Sequence, residues 1–149
     1  MNSKTTPINI EFKGVLDGDG HTIKHLNLIG SGAVFTGVFA LVYGTVKDIV
    51  FDNIKVNSEN TYVGVVAGSA TNATIQVTVK NSQVTSTAGI VGGIVGNLHG
   101  TKVENCKVLN TIISGDTRVG GLSGTGTGSN GSIIKDNYIQ DVTITGSSP

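Results

Sequence analysis

The feature that most constrains this chain is a repeat of about 28 residues. Four segments open with glycine followed by small apolar residues, and their first glycines stand 27, 29 and 28 residues apart. These repeat glycines are Gly37, Gly64, Gly93 and Gly121. A repeat of this length cannot bury its own apolar face, so neighbouring repeats must stack to form a continuous core. We therefore predict one domain over 1–149, with repeats at about 8–36, 37–63, 64–92, 93–120 and 121–146.

A second apolar run follows each opening, and its apolar positions fall into columns when the repeats are aligned. Neighbouring positions alternate between apolar and polar, which is the period of a strand with one buried face. Val (19) and Ile (15) outnumber Leu (7) and Ala (6), and β-branched side chains favour strands. We predict that Cys106 faces inward in the column of Ile49 and Val77. The other predicted core columns are Phe51, Val79, Val108 and Ile139, and Val56, Val84, Ile113 and Ile144.

A polar column accompanies the apolar ones and consists of Asn53, Asn81, Asn110 and Asp141. Asn and Asp tolerate tight bends, so we place this column at a corner of each repeat. Side chains that turn inward there can bond to one another up the stack. We predict a structural ladder of side chains rather than a ligand site.

These observations predict an all-β fold, a right-handed single-stranded parallel β-helix of about five rungs. Equivalent strands would stack about 4.8 Å apart, and the handedness follows the general rule for parallel crossovers. Leucine-rich repeats have a similar length, but they need a leucine skeleton that seven Leu residues cannot supply. Propeller blades are longer, at about 40 residues or more.

Composition argues against several classes of function. Ten basic residues balance ten acidic ones, so the chain has no electrostatic footprint for nucleic acid or an anionic membrane. Aromatic residues make up 5% of the chain, too few for a platform that stacks single-stranded bases. No apolar run approaches the roughly 20 residues of a membrane span. No Cys or His cluster has zinc-ligand spacing, and we predict no cofactor.

The densest polar cluster runs from Asp17 through Asp19 to His21 in a glycine-rich segment. Two carboxylates at this spacing could begin a calcium site, but His21 and Leu28 occupy places where an EF-hand loop needs further ligands. We interpret the cluster as a tight turn and leave calcium open. His25 and His99 lack any recognisable catalytic frame, so we predict that they are surface residues.

The glycine openings resemble GLUG-type repeats of large bacterial surface and secreted proteins, most clearly at Gly93-Ile94-Val95-Gly96 and Gly121-Leu122-Ser123-Gly124. The stretch from Phe12 to Ile23 resembles the F-x-G-x-L-D-G-x-G-H-x-I segment that often leads into such repeats. Ala40 and Ala67 replace the closing glycine in the first two openings. The resemblance covers residues 12 to about 144. It implies an adhesin-like surface protein, and similar repeats occur in non-catalytic parts of immunoglobulin A-specific metallopeptidases.

We therefore predict a non-catalytic structural or adhesive repeat domain of a bacterial cell-surface or secreted protein. It would act as a rigid stalk or as a contact surface for a host glycan, a host protein or neighbouring domains. Because the start lacks a signal peptide, we expect a fragment of a longer exported chain. Exposed rung ends would permit end-to-end association.

Two alternatives stay open. A carbohydrate-binding or polysaccharide-cleaving module would use outward carboxylates, since a glycosidase needs a pair of them across the sugar. The candidates are Asp48, Asp52, Glu104, Asp116 and Asp136, of which Asp48 and Asp136 share a column with Gln76 and Asn105. An ice-binding solenoid would need a regular grid of Thr. We expect the candidate segments Thr85-Ser86-Thr87, Thr125-Gly126-Thr127 and Thr143-Ile144-Thr145 to fall at different repeat positions.

Overall fold

The structure, a computed structural model, describes residues 4–5, 8–127 and 131–147. These residues form strands and connecting turns without a helix, and so include no helix that could span a membrane. All the pairings between these strands are parallel. The predicted parallel β-solenoid of about five rungs, with a repeat of about 28 residues, is confirmed.

The strands are short and follow one another closely along the chain. In order they are β1 (Lys4–Thr5), β2 (Ile8–Phe12), β3 (Val15–Asp17), β4 (Thr22–Lys24), β5 (Asn27–Gly30), β6 (Phe35–Thr36), β7 (Phe39–Val42), β8 (Thr45–Asp52), β9 (Lys55–Ser58), β10 (Tyr62–Val63), β11 (Ala67–Thr71), β12 (Thr74–Lys80), β13 (Gln83–Ser86), β14 (Ile90–Gly92), β15 (Val95–His99), β16 (Lys102–Glu104), β17 (Lys107–Gly115), β18 (Arg118–Gly120), β19 (Ser123–Thr127), β20 (Ile133–Lys135) and β21 (Tyr138–Gly146).

Rungs 1 to 4 each pass through three stacked sheets in turn, and the described part of rung 5 passes through two of them. Rung 1 contains β2 to β6, rung 2 β7 to β10, rung 3 β11 to β14, rung 4 β15 to β18 and rung 5 β19 to β21, while β1 pairs with β5. A five-stranded sheet collects β2, β7, β11, β15 and β19, and a four-stranded sheet collects β6, β10, β14 and β18. The remaining strands form a 12-stranded sheet that bends at corners within each rung.

The first predicted column lies in register through the 12-stranded sheet. Val79 pairs with Phe51 on one side and with Val108 on the other, and Val108 pairs with Ile139. The first three side chains are fully buried, whereas Ile139 is 46% exposed. Ile139 belongs to rung 5, on which no further rung stacks in the described part of the chain.

The second predicted column has the same form. Val84 pairs with Val56 and with Ile113, and Ile113 pairs with Ile144. The first three side chains are buried, and Ile144 is 48% exposed at the end of the stack. A residue of a predicted core column is therefore buried only where another rung covers it. Contact with the next rung is what removes these apolar side chains from water.

The glycine openings differ by one residue from the predicted alignment. Val63 pairs with Val91, so Gly64 aligns with Gly92 rather than with Gly93. Ala67 pairs with both Phe39 and Val95, and the closing residues that align are therefore Ala40, Gly68, Gly96 and Gly124. The prediction that Ala67 replaces a closing glycine is wrong. Gly and Val recur at neighbouring positions, so a sequence alignment allows more than one register. Only the hydrogen bonds between the backbones of stacked strands select one of them.

The closing glycines lie where the five-stranded sheet meets the backbone of the four-stranded sheet. A Cβ atom on Gly96 would stand 2.5 Å from Val63 N, and one on Gly124 would stand 2.8 Å from Val91 N. Real Cβ atoms do not approach backbone this closely. The motif therefore needs its final glycine because two strands cross there without room for a side chain.

We expect Gly96→Ala to destabilise the solenoid by about 1–3 kcal/mol, because the added methyl group overpacks against rigid backbone. Gly126→Ala is the matched control: among the described residues, the atom nearest to its Cβ would be Leu98 O at 4.0 Å. We expect the control to leave stability nearly unchanged. Urea unfolding followed by circular dichroism measures both, and equal midpoints for the two variants would contradict the crossing-strand explanation.

Candidate functional site

The predicted polar column lies at a corner of the 12-stranded sheet. Asn53, Asn81, Asn110 and Asp141 all adopt left-handed backbone conformations, with φ between 46° and 55°. Asn and Asp are the residues other than glycine that most readily occupy this region. The backbone bend therefore accounts for the residue types in this column.

These corner side chains turn outward rather than inward as predicted. Asn110 Nδ2 donates to Asn81 Oδ1 at 2.8 Å, both on exposed residues. Asn81 Nδ2 then donates to Asp52 Oδ1 at 2.9 Å, and Asn53 Nδ2 donates to His25 Nδ1 at 2.8 Å. The left-handed corner directs the side chain to solvent and the following residue to the interior. The bonds thus form a discontinuous surface ladder.

Two of the inward positions after these corners carry hydroxyl groups that form a ladder, which the sequence reasoning missed. Ser82 follows Asn81 and is buried, and its Oγ accepts from Ile54 N of the previous rung at 3.1 Å and donates to Lys80 O at 2.8 Å. Thr111 repeats the arrangement one rung later, with Oγ1 accepting from Ser82 N and donating to Leu109 O. Each hydroxyl satisfies an N–H that the bend removes from the backbone ladder.

Thr101 and Cys106 do the same at two other corners. Thr101 Oγ1 accepts from Ala73 N at 3.3 Å and donates to His99 O at 3.2 Å. Cys106 Sγ accepts from Val77 N at 3.4 Å and donates to Ile75 O at 3.3 Å. The sequence carried a signal for this arrangement: in each case a Ser, Thr or Cys directly follows an Asn or Gly. These are the residue types that most readily adopt positive φ.

Cys106 lies inward, fully buried. Burial raises the pKa of its thiol to about 11, because a thiolate would lose its hydration inside the apolar core. Thiolate is the nucleophilic form of cysteine. The structure thus gives Cys106 a packing and hydrogen-bonding position rather than a reactive one.

The segment between Asp17 and His21 is a turn closed by its own side chains. Asp17 Oδ1 accepts from Asp19 N at 3.0 Å, and His21 Nδ1 donates to Gly18 O at 2.8 Å. The hydrogen bond from Asp19 N, followed by the nearby Lys47 ammonium, lowers the pKa of Asp17 below its ordinary value. Within the described residues, no group of three or more potential metal ligands comes together.

The outward carboxylates at the next corner are partly explained by backbone geometry. Asp48, Asn105 and Asp136 have φ between 52° and 55°, so all three occupy left-handed positions. Gln76 does not share their column as predicted: it pairs with Lys47, and the register shifts directly after it. Rung 3 is one residue shorter here than the neighbouring rungs and lacks the protruding corner residue.

A recess on the outer surface, which we call the notch, lies at this shortened corner. Its volume is about 510 Å³. The polar side chains that line it are Asp19, Asp48, Gln76, Thr78, Asn105 and Lys107. Nothing in the sequence motifs indicated the notch, because it arises from one missing residue rather than from residues that are present.

The Thr segments considered for ice binding share positions in part. Thr85 pairs with Ser114, and Ser114 pairs with Thr145, so Thr85 and Thr145 lie in one column, contrary to the expectation. The adjacent outward column contains Lys55, Gln83, Ile112 and Thr143. A mixture of charged, amide and aliphatic side chains is not a Thr grid.

Two comparisons with known proteins match part of this sequence. Residues 87–113 match the GLUG motif, as the resemblance of the glycine openings predicted. The chain is similar to halomucin of Haloquadratum walsbyi, with 39% identity over 105 residues that cover 67% of this chain. The chain spans about 1% of the length of halomucin. No solved structure matches the chain.

The inward hydroxyl ladder makes a testable contribution to stability. We expect Ser82→Ala to lower the free energy of unfolding by roughly 1–3 kcal/mol, because Ile54 N would remain buried without an acceptor. Ser114 faces outward in the same sheet, and Ser114→Ala should change stability by less than about 0.5 kcal/mol. Chemical unfolding of the two variants checks this, and a Ser82→Ala variant as stable as the parent would contradict the ladder.

Proposed function

We propose that this chain is a non-catalytic, rigid repeat segment of a cell-surface protein, which holds neighbouring parts in place and presents its sides for contact. The GLUG motif at residues 87–113 supports this role. Similarity to halomucin, a surface protein, supports the location. The chain corresponds to about 1% of the length of halomucin. The role of any longer protein that contains this segment is therefore also a proposal.

The observation that carries the proposal is the continuous stack with a buried interior. Phe51, Val79 and Val108, from the consecutive rungs 2, 3 and 4, pair in register and are fully buried. In the described residues, each buried side-chain nitrogen or oxygen atom has a hydrogen-bond partner. Bending such a stack would break the backbone ladder and open the core at the same time. Stiffness is therefore intrinsic to the architecture.

The geometry favours a rigid surface over long reach. Each rung uses about 28 residues and advances the stack by only about 4.8 Å. The same number of residues in an α-helix would extend roughly 42 Å. Most residues of a solenoid therefore form its broad, rigid sides rather than add to its length. We infer that adhesive contacts, where they occur, use these sides.

The proposed location is tested on intact cells of the organism that carries the sequence. An antibody raised against the folded chain should label these cells without permeabilisation, while an antibody against a cytosolic protein should not. Labelling that requires permeabilisation would contradict a surface location.

The proposed rigidity is tested by measuring a distance along the stack. Lys24 and Gln140 occupy one outward column, four rung spacings apart, or roughly 19 Å. Spin labels on Lys24→Cys and Gln140→Cys, in a Cys106→Ser background that keeps the ladder chemistry, should give a narrow distance distribution near this value. The urea-unfolded chain is the control, with a broad distribution around roughly 55–65 Å. A broad distribution in the native chain would contradict the proposal.

A further inference from the structure

The notch owes its shape to a difference in length between rungs. At this corner rung 2 has the extra residue Asp48 and rung 4 has Asn105, both with left-handed backbone and exposed side chains. Rung 3 continues from Gln76 to Val77 without such a residue. Asp48 and Asn105 thus protrude on either side of rung 3, about 9.6 Å apart if two rung spacings separate them. Between them the surface is set back.

Other residues close the ends of the notch. Asp19 and Gly20, in the turn of rung 1, bound one end, and Lys107 of rung 4 bounds the other. This turn is held in place, because Gly20 N donates to Asp48 O at 2.8 Å. The side chain of Val77 points into the core and is 2% exposed. The floor is therefore backbone, flanked by the half-buried side chains of Gln76 and Thr78.

The lining has a mixed hydrogen-bonding character. Gln76, Thr78 and Asn105 can each donate and accept, whereas Asp19 and Asp48 only accept when ionised. Lys107 adds donors at one end. None of the described residues that line the notch is aromatic. A ligand suited to this surface carries many groups that both donate and accept and presents no large apolar face.

We propose that the notch binds a short neutral oligosaccharide, whose hydroxyl groups match this lining. Hydroxyls can donate to the two carboxylates and exchange hydrogen bonds with the amides. The volume of about 510 Å³ lies within the usual range of ligand pockets, about 300–1,000 Å³. A polyanionic glycan is disfavoured, since Asp19 and Asp48 face one end and a single ammonium faces the other. This inference deepens the proposed contact role of the solenoid sides.

The experiment uses the full chain, labelled with nitrogen-15, and a set of neutral gluco-, manno- and galacto-oligosaccharides of two to four units. At least one member should shift the backbone amide resonances of 48–50, 76–78 and 105–107 in a saturable manner. Matched uronic acid oligosaccharides should shift them less. The inference is overturned if no neutral oligosaccharide shifts these amides, or if the uronic acid series binds more tightly.

Two variants locate the binding. Insertion of one Asn between Gln76 and Val77 gives rung 3 the corner residue of its neighbours and fills the notch, so binding should be lost. Gln76→Ala keeps the backbone intact and should weaken binding roughly three- to tenfold through one lost hydrogen bond. Asn81→Ala, at the other corner of rung 3, should bind like the parent. Parental affinity in both notch variants would overturn the inference. The spin-label distances test rigidity separately, so the two proposals can fail independently.

Discussion

The interaction on which this structure depends is the parallel backbone ladder between successive rungs. Single rungs have no interior, and an isolated turn of about 28 residues would leave its Val and Ile side chains in water. Stacking changes this at once, because each added rung covers the apolar column of the one before it. Phe51, Val79 and Val108 are fully buried for this reason, whereas Ile139 at the end of the stack is 46% exposed.

A ladder that runs around corners must solve a second problem, which is the backbone N–H group that each bend withdraws from regular pairing. The chain solves it with pairs of residues. One residue takes the left-handed conformation and faces solvent, and the next directs a small polar side chain inward. Asn81 with Ser82 and Asn105 with Cys106 are two examples. Polar residues in the interior are thus part of the stacking mechanism rather than exceptions to it.

The structural roles of the inward and corner positions determine where ligand contacts can lie. Positions that face inward are required for stacking, and corner positions are restricted to residues that tolerate a left-handed backbone. Ligand contacts are therefore left to outward-facing side chains, including those at corners, and to irregularities between rungs. The notch beside Gln76 is such an irregularity, since Asp48 and Asn105 on the neighbouring rungs have no counterpart there. A regular solenoid presents repeated, nearly flat surfaces. A one-residue difference in rung length creates a concave surface without disturbing the core on the opposite side of the strand.

The sequence by itself determined the period, the strand alternation and the membership of the main apolar columns, because these depend on residue type at fixed spacing. Tertiary structure alone decided what depends on register and direction. It aligned Gly68 rather than Ala67 with Gly96, turned the Asn column outward, and set Gln76 apart from Asp48 and Asn105. The physical reason is that similar residues such as Gly, Val and Asn permit several alignments of nearly equal quality. Hydrogen bonding between whole rungs is cooperative and selects only one.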